Sequence, residues 1–167
     1  MIKTFLTLFF IPFFCFSQIK IKTSNYFTDL TSEENRIIVL KGTERPNSGI
    51  YNNHFKKGIY ICKACNNPLF ESNAKFESNC GWPSFDDEIK GSIIRYADNS
   101  LGMNRVEICC SNCKGHLGHV FEGEWITEKN IRHCVNSLSI KFIPHTKNTV
   151  LFYVYDNGAP AKKIIIE

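Results

Sequence analysis

The clearest chemical signal in the chain is a pair of two-residue spacings, Cys62-Lys-Ala-Cys65 and Cys110-Ser-Asn-Cys113. Two residues between cysteines let both thiolates turn toward one point, and two such knuckles complete the tetrahedron that zinc accepts. A site closed by four thiolates leaves no position open for substrate, so the role expected of Cys62, Cys65, Cys110 and Cys113 is structural. It would join a strand ending at Cys62 to one ending at Cys110, coupling metal binding to folding. Two disulfides or unpaired thiols are the plain alternative. Cys109 sits beside Cys110 and competes for the metal by position but not by spacing, so it is expected to be a buried thiol.

A second group centres on Cys134. Residues 131–142 alternate well enough to assign faces: Arg132, Cys134 and Asn136 point one way, and Ile131, His133 and Val135 the other. A guanidinium beside a cysteine favours thiolate, which is the nucleophilic form. The Asn136 amide can hold a water or a substrate oxygen at either end. The bland reading of Cys134 is a structural core cysteine. His116-Leu-Gly-His119 places two imidazoles across a glycine; they are candidate proton donors, metal ligands or ordinary polar loop residues. In Cys80-Gly-Trp-Pro-Ser-Phe85, Gly81 and Pro83 shape a turn. Trp82 offers a flat apolar wall for a thioether methyl, or simply core, and Cys80 is a candidate partner for Cys134.

The elements that would position these residues are mostly short and β-prone. Thr31-Ser-Glu-Glu34 has the capping-box spacing and predicts a short helix over residues 33–40. Strands are expected at Gly58–Cys62, 92–96, Arg105–Cys110, 120–122, 131–142 and 149–155, separated by Asn-, Gly-, Pro- and Ser-rich punctuation. The pattern is that of a mainly β domain with a short N-terminal helix. At 167 residues the chain has room for one such domain and a single core. A net charge of +4, with acids interspersed, provides no basic stripe for a phosphate backbone, so no nucleic-acid partner is expected. Residues 1–17 start with Lys3, continue apolar, and end at Ser17, which reads as a cleaved secretory signal. The stretch is short for a membrane span and Pro12 interrupts it, although an uncleaved anchor is the alternative. The mature protein would then be periplasmic or secreted, without stable membrane insertion. Eight cysteines, one of them Cys15 in the leader, leave an odd count that suits four metal ligands, one redox pair and one leftover.

Taken together, Gly42-Thr-Glu-Arg-Pro46, Gly58-Ile-Tyr-Ile-Cys62, Lys75-Phe76, Gly81-Trp-Pro-Ser-Phe85, His116-Leu-Gly-His-Val-Phe121 and Arg132-His-Cys-Val-Asn-Ser137 resemble the methionine sulfoxide reductase B family. The resemblance spans nearly everything between Gly42 and Phe142. It divides the chain into a leader (1–17), a lead-in with a short helix (18–41), the reductase domain (42–145) and a C-terminal extension (146–167).

That resemblance implies two packed antiparallel sheets, β-tent-like, with a structural zinc remote from the catalytic centre. It implies reduction of the R epimer of methionine sulfoxide, mainly within proteins, hence a repair enzyme with oxidised proteins as substrates. By motif, Cys134 resembles the nucleophile and Cys80 the resolving cysteine. Trp82 and Phe121 resemble the methyl pocket, and His116, His119 and Asn136 the polar side around the sulfoxide oxygen, with Arg132 favouring the Cys134 thiolate. A sulfenic acid on Cys134 would condense with Cys80, and a thioredoxin-like dithiol would reduce the bridge. The sequence departs from the family at Asn79, where glycine is usual; at His133, where Tyr or Phe is common and little effect is expected; and at Lys114, where Asp or Gly is frequent. The rival reading is a zinc-ribbon-type binding module without catalysis, which the knuckles alone would fit.

Overall fold

A computed structural model describes residues 25–145, together with the backbone of two further strands at Val150–Phe152 and Lys163–Ile165. The leader and Cys15 lie outside the described residues. Helix α1 (Ser32–Ile38) opens the domain on a complete capping box: the Glu34 backbone N–H donates to the Thr31 hydroxyl, and the Thr31 N–H donates to the Glu34 carboxylate. Both bonds satisfy donors that a helix start otherwise leaves unpaired. Ile37 and Ile38 are its buried face.

Two antiparallel sheets follow. The smaller runs β2–β1–β9, from β1 (Gly58–Cys62), β2 (Pro68–Glu71) and β9 (Ile140–Pro144). The larger runs β3–β4–β8–β7–β6–β5. Its strands are β3 (Lys75–Phe76), β4 (Ser84–Phe85), β5 (Ile93–Asp98), β6 (Arg105–Cys110), β7 (His116–Glu122) and β8 (Ile131–Val135). The sheets pack through Tyr60 and Phe70 on one side and Phe85, Leu117 and Val135 on the other, all but inaccessible to solvent. Phe70 stacks on Phe85 with ring centres 4.3 Å apart, and Tyr60 meets Phe85 edge-on at 5.0 Å. The mainly β, two-sheet architecture with one short helix is the one expected. The strands β10 (Val150–Phe152) and β11 (Lys163–Ile165) pair as a separate antiparallel hairpin.

One expected strand is two. Residues 131–142 do not run continuously: β8 ends at Val135, a 3₁₀ turn occupies Ser137–Ser139, and β9 continues in the other sheet. Asn136 is the corner, and the Ser139 hydroxyl donates to the His116 carbonyl, so periodicity alone does not reveal the change of sheet. The short strands β2, β3 and β4 escape the sequence reading, being too brief for a period to register.

Two of the family departures fall on backbone that only some residues accept. Asn79 (φ 58°) and Lys114 (φ 65°) both sit in the left-handed region. Asn tolerates it through its short polar side chain, whereas Lys bears a steric cost that glycine would avoid. The third departure, His133, is fully buried on the back of β8 rather than inconsequential. Its Nδ1 donates to the Phe85 carbonyl at 3.1 Å, and its Nε2 lies 2.6 Å from the Glu88 carboxylate, which Arg95 also grips with two bonds.

Gly118 marks the closest backbone approach. It pairs with Val135 at φ 154°, and a Cβ there would lie 1.9 Å from the Cys134 carbonyl oxygen. Gly118→Ala is therefore expected to push β7 and β8 apart and cost about 2 kcal/mol or more in urea unfolding; an unchanged midpoint would refute the close approach. Burial opposes ionisation of Glu88, yet hydrogen bonds from His133 and Arg95 outweigh it and hold the carboxyl at about 2. The stability this contributes is present above the ordinary value of 4.5 and is lost as pH falls toward about 2. Acid unfolding curves of Glu88→Gln should lack that part of the decline.

Candidate functional site

The β7–β8 register builds the site. His119 is the direct cross-strand partner of Cys134, and Phe121 that of Arg132. On the other side of β8, Ser84 of β4 also faces Cys134. Beside them is a cavity of about 130 Å³ lined by Thr43, Trp82, Arg105, Gly118, His119, Phe121, Cys134, Val135 and Asn136. That is close to the ~150 Å³ of an apolar cavity that admits a benzene-sized group.

Cys80 Sγ lies 3.8 Å from Cys134 Sγ. The hydrogen bond shared with Cys134, reinforced by the hydroxyls of Ser78 at 3.0 Å and Ser84 at 3.5 Å, pulls Cys80 down to about 4. The same sharing, followed by burial, pushes the Cys134 thiol up, while Arg132 pulls it back. The contact thus favours the thiolate at Cys80 over the one at Cys134. The Cys80 loop is held in place from outside. Gly81 (φ 95°) accepts the Asn47 N–H at 2.8 Å, and the Trp82 indole donates to the Glu44 carbonyl at 3.1 Å, fixing the ring against the cavity.

The remaining expected residues divide in two groups. His119, Phe121, Trp82 and Asn136 line the cavity; His116 and Arg132 stand behind it. Asn136 is 3% exposed, and both ends of its amide already bond backbone: Oδ1 accepts the Glu44 N–H at 3.0 Å, and Nδ2 donates to the Leu117 carbonyl at 3.2 Å. It therefore ties Glu44 to Leu117 of β7 from the cavity wall. His116 is buried, with Nδ1 bonded to Glu107 at 2.7 Å and its ring centre 5.5 Å from that of His119. Burial pushes His116 toward its neutral form, with Glu107 opposing. Arg132 gives two bonds to Glu124, at 2.7 and 2.8 Å, and lies 4.5 Å over the Phe121 ring.

The acids that hold these groups were not singled out from sequence: Asp98 behind His119, Glu107 behind His116 and Glu124 behind Arg132. Arg105 and Thr43 on the cavity wall were missed as well. Each is joined to its partner by strand pairing or loop return rather than by sequence spacing. That Asp98 of β5 and Glu107 of β6 meet the histidines of β7 is legible only once the strand order and register are known.

The four knuckle cysteines converge away from the cavity. Their sulfurs all lie within 4.8 Å of one another, with Cys62–Cys113 at 3.6 Å and Cys65–Cys110 at 3.5 Å. Thiolates at ~2.3 Å from a tetrahedral zinc would stand about 3.8 Å apart, so the set fits that ion. The knuckles are built alike, with Asn66 N–H donating to the Cys62 carbonyl and Lys114 N–H to the Cys110 carbonyl. They join the end of β1 to the end of β6, and so one sheet to the other. Cys109 lies outside this set and is 2% exposed. Burial pushes its thiol up to about 12, so it stays protonated.

Among known proteins, the family model described as the SelR domain matches residues 30–144. A protein of Teredinibacter turnerae named peptide methionine sulfoxide reductase MsrB is 50% identical over 129 residues, covering 75% of this chain and 94% of its own length. Arabidopsis thaliana peptide methionine sulfoxide reductase B2, chloroplastic, is 51% identical over 116 residues, covering 69% of this chain and 56% of its own length. The rice protein named peptide methionine sulfoxide reductase B3, chloroplastic, is 48% identical over 123 residues, covering 73% of this chain and 53% of its own length. With this domain match and these relatives, the chain belongs to the SelR-domain family, the methionine sulfoxide reductases of type B.

Proposed function

We propose that this chain reduces methionine-R-sulfoxide, mainly in oxidised proteins, to methionine. The observation that carries the reading is the 3.8 Å sulfur pair at the edge of a cavity walled by Trp82 and Phe121, with an imidazole directly across from Cys134. A thioether methyl rests against the aromatic walls, and the sulfoxide oxygen faces His119 and Asn136. Cys134 passes its proton to the Cys80 thiolate and attacks the sulfoxide sulfur, while His119 protonates the oxygen. Oxygen moves to Cys134 as a sulfenic acid and methionine departs, its sulfur reduced by two electrons as Cys134 is oxidised by two. Cys80 then condenses with the sulfenic acid, giving a disulfide and water, and a thioredoxin-like dithiol returns both thiols.

Cys62, Cys65, Cys110 and Cys113 would hold a structural Zn²⁺, supplying cross-sheet rigidity and no chemistry at the cavity. Residues 1–17 would direct export and then be removed, so that the mature enzyme works in the periplasm or outside the cell and draws on a reductant available there. Among the described residues no helix is long and apolar enough to cross a membrane.

Cys134→Ser should abolish even one turnover of a methionine-R-sulfoxide peptide. Cys80→Ser should release about one equivalent of methionine and then stall with thioredoxin. Consumption of the S epimer alone, or full activity of Cys134→Ser, would refute the reading. Native mass spectrometry should record one zinc, lost on denaturation. Cys65→Ser should lose the metal and unfold at a urea midpoint lower by the equivalent of about 3 kcal/mol or more; a metal-free protein of undiminished stability would defeat the structural role.

A further inference from the structure

His119 is the imidazole that both lines the cavity and faces Cys134 across the strand pair. Its Nε2 lies 2.8 Å from Oδ2 of Asp98, the last residue of β5. The same oxygen accepts from Arg105 at 2.7 Å, while Oδ1 accepts the Ser100 backbone N–H at 2.9 Å. The Ser100 bonds and the His119 ring hold the Asp98 carboxyl well below its usual range, so it is ionised and can only accept. Nε2 of His119 therefore carries a hydrogen, and Nδ1 is the ring nitrogen left for the cavity.

We propose that Asp98 is a positioning residue for proton delivery, which holds His119 through Nε2 and so leaves Nδ1 to the cavity, where its hydrogen is given to the sulfoxide oxygen. The inference rests on the reductase reading above and extends it. A neutral ring bonded to Asp98 through Nε2–H has only a lone pair at Nδ1 and can donate nothing there. The ring that delivers a proton therefore carries hydrogens on both nitrogens, Nε2–H held by Asp98 and Nδ1–H given up. On transfer, the Nδ1–H bond breaks and an O–H bond forms, while Nε2–H stays on Asp98. The electron pair for the new bond at sulfur comes from the Cys134 thiolate.

The groups facing His119 are Asp98 from β5, Arg105 and Glu107 from β6, His116 on its own strand and Cys134 from β8. His116 does not share the role. Its carboxylate partner Glu107 is itself engaged by Lys41 at 2.8 Å, the ring is 2% exposed, and its Nε2 has no partner. Among the described residues, only the Asp98–His119 pair joins a carboxylate to an imidazole that lines the cavity.

Asp98→Asn keeps the shape and an acceptor oxygen while removing the charge. The single-turnover rate constant for a methionine-R-sulfoxide peptide at saturation should fall about tenfold, while the half-saturating peptide concentration changes by less than about threefold. Asp98→Glu, which retains the carboxylate, should recover part of the rate. In parallel, NMR should find the His119 ring hydrogen on Nε2 in the unmutated protein and lose that preference in Asp98→Ala. An unchanged rate constant, or a loss confined to half-saturation, would overturn the proposal, as would the same ring-hydrogen placement in Asp98→Ala. If the unmutated protein turned over no sulfoxide, the reductase reading would fall and the delivery step with it, while the NMR hydrogen placement would still decide the pairing.

Discussion

The antiparallel pairing of β7 with β8 is the constraint on which the site depends. One register puts His119 opposite Cys134 and Phe121 opposite Arg132. The flanking strands then extend the row, with Glu107 of β6 facing His119 and Ser84 of β4 facing Cys134. A slip of one residue would turn each of these side chains to the other face of the sheet. Gly118 lets the strands come close enough for this register, because any side chain there would meet the Cys134 carbonyl. Cys134 is thus placed by backbone hydrogen bonds, while loops contribute mainly the cavity's outer wall.

Behind that wall, each basic group is held by its own acid: His119 by Asp98, His116 by Glu107 and Arg132 by Glu124. Removing a charge from water is costly unless a partner and further hydrogen bonds repay it, and such pairs add little net stability. Their value here is geometric. Arg132, spread over Phe121 and gripped twice by Glu124, can influence the nearby Cys134 sulfur without moving into the cavity. The cavity itself keeps apolar aromatic faces and a small number of polar atoms, which suits a side chain that is mostly hydrocarbon with one strong acceptor oxygen.

Much of this was legible in the chain because the informative residues are local patterns. The two CxxC spacings announced a four-sulfur cluster, the capping box at Thr31 announced α1, and the alternation around Cys134 assigned Arg132 and Cys134 to one face. What could not be read are relations set by pairing. Asp98 and His119 are 21 residues apart and meet only because β5, β6 and β7 lie side by side. The break at Asn136 was hidden because a strand that changes sheets through one 3₁₀ turn preserves its apolar pattern. His133 was judged inconsequential from its face alone. Its face is indeed the far one, but that face is where β4, β5 and the Glu88 loop converge, so a polar ring there needs, and finds, partners.

The Cys80 loop bears on how the two sulfurs come to meet. Cys80 stands between two residues with left-handed backbone, Asn79 and Gly81, and the loop is fastened beyond them through the bonds of Asn47 to Gly81 and Trp82 to Glu44. An Asn at the first of these positions, where the family usually carries glycine, narrows the conformations open to the chain and reduces the entropy lost in ordering it. The sulfurs are already in contact before any oxidation, 3.8 Å apart. In the proposed reaction, little chain movement would separate a sulfenic acid on Cys134 from Cys80. The same fastening keeps Trp82 on the cavity wall, so its indole and the Cys80 sulfur are held by one turn.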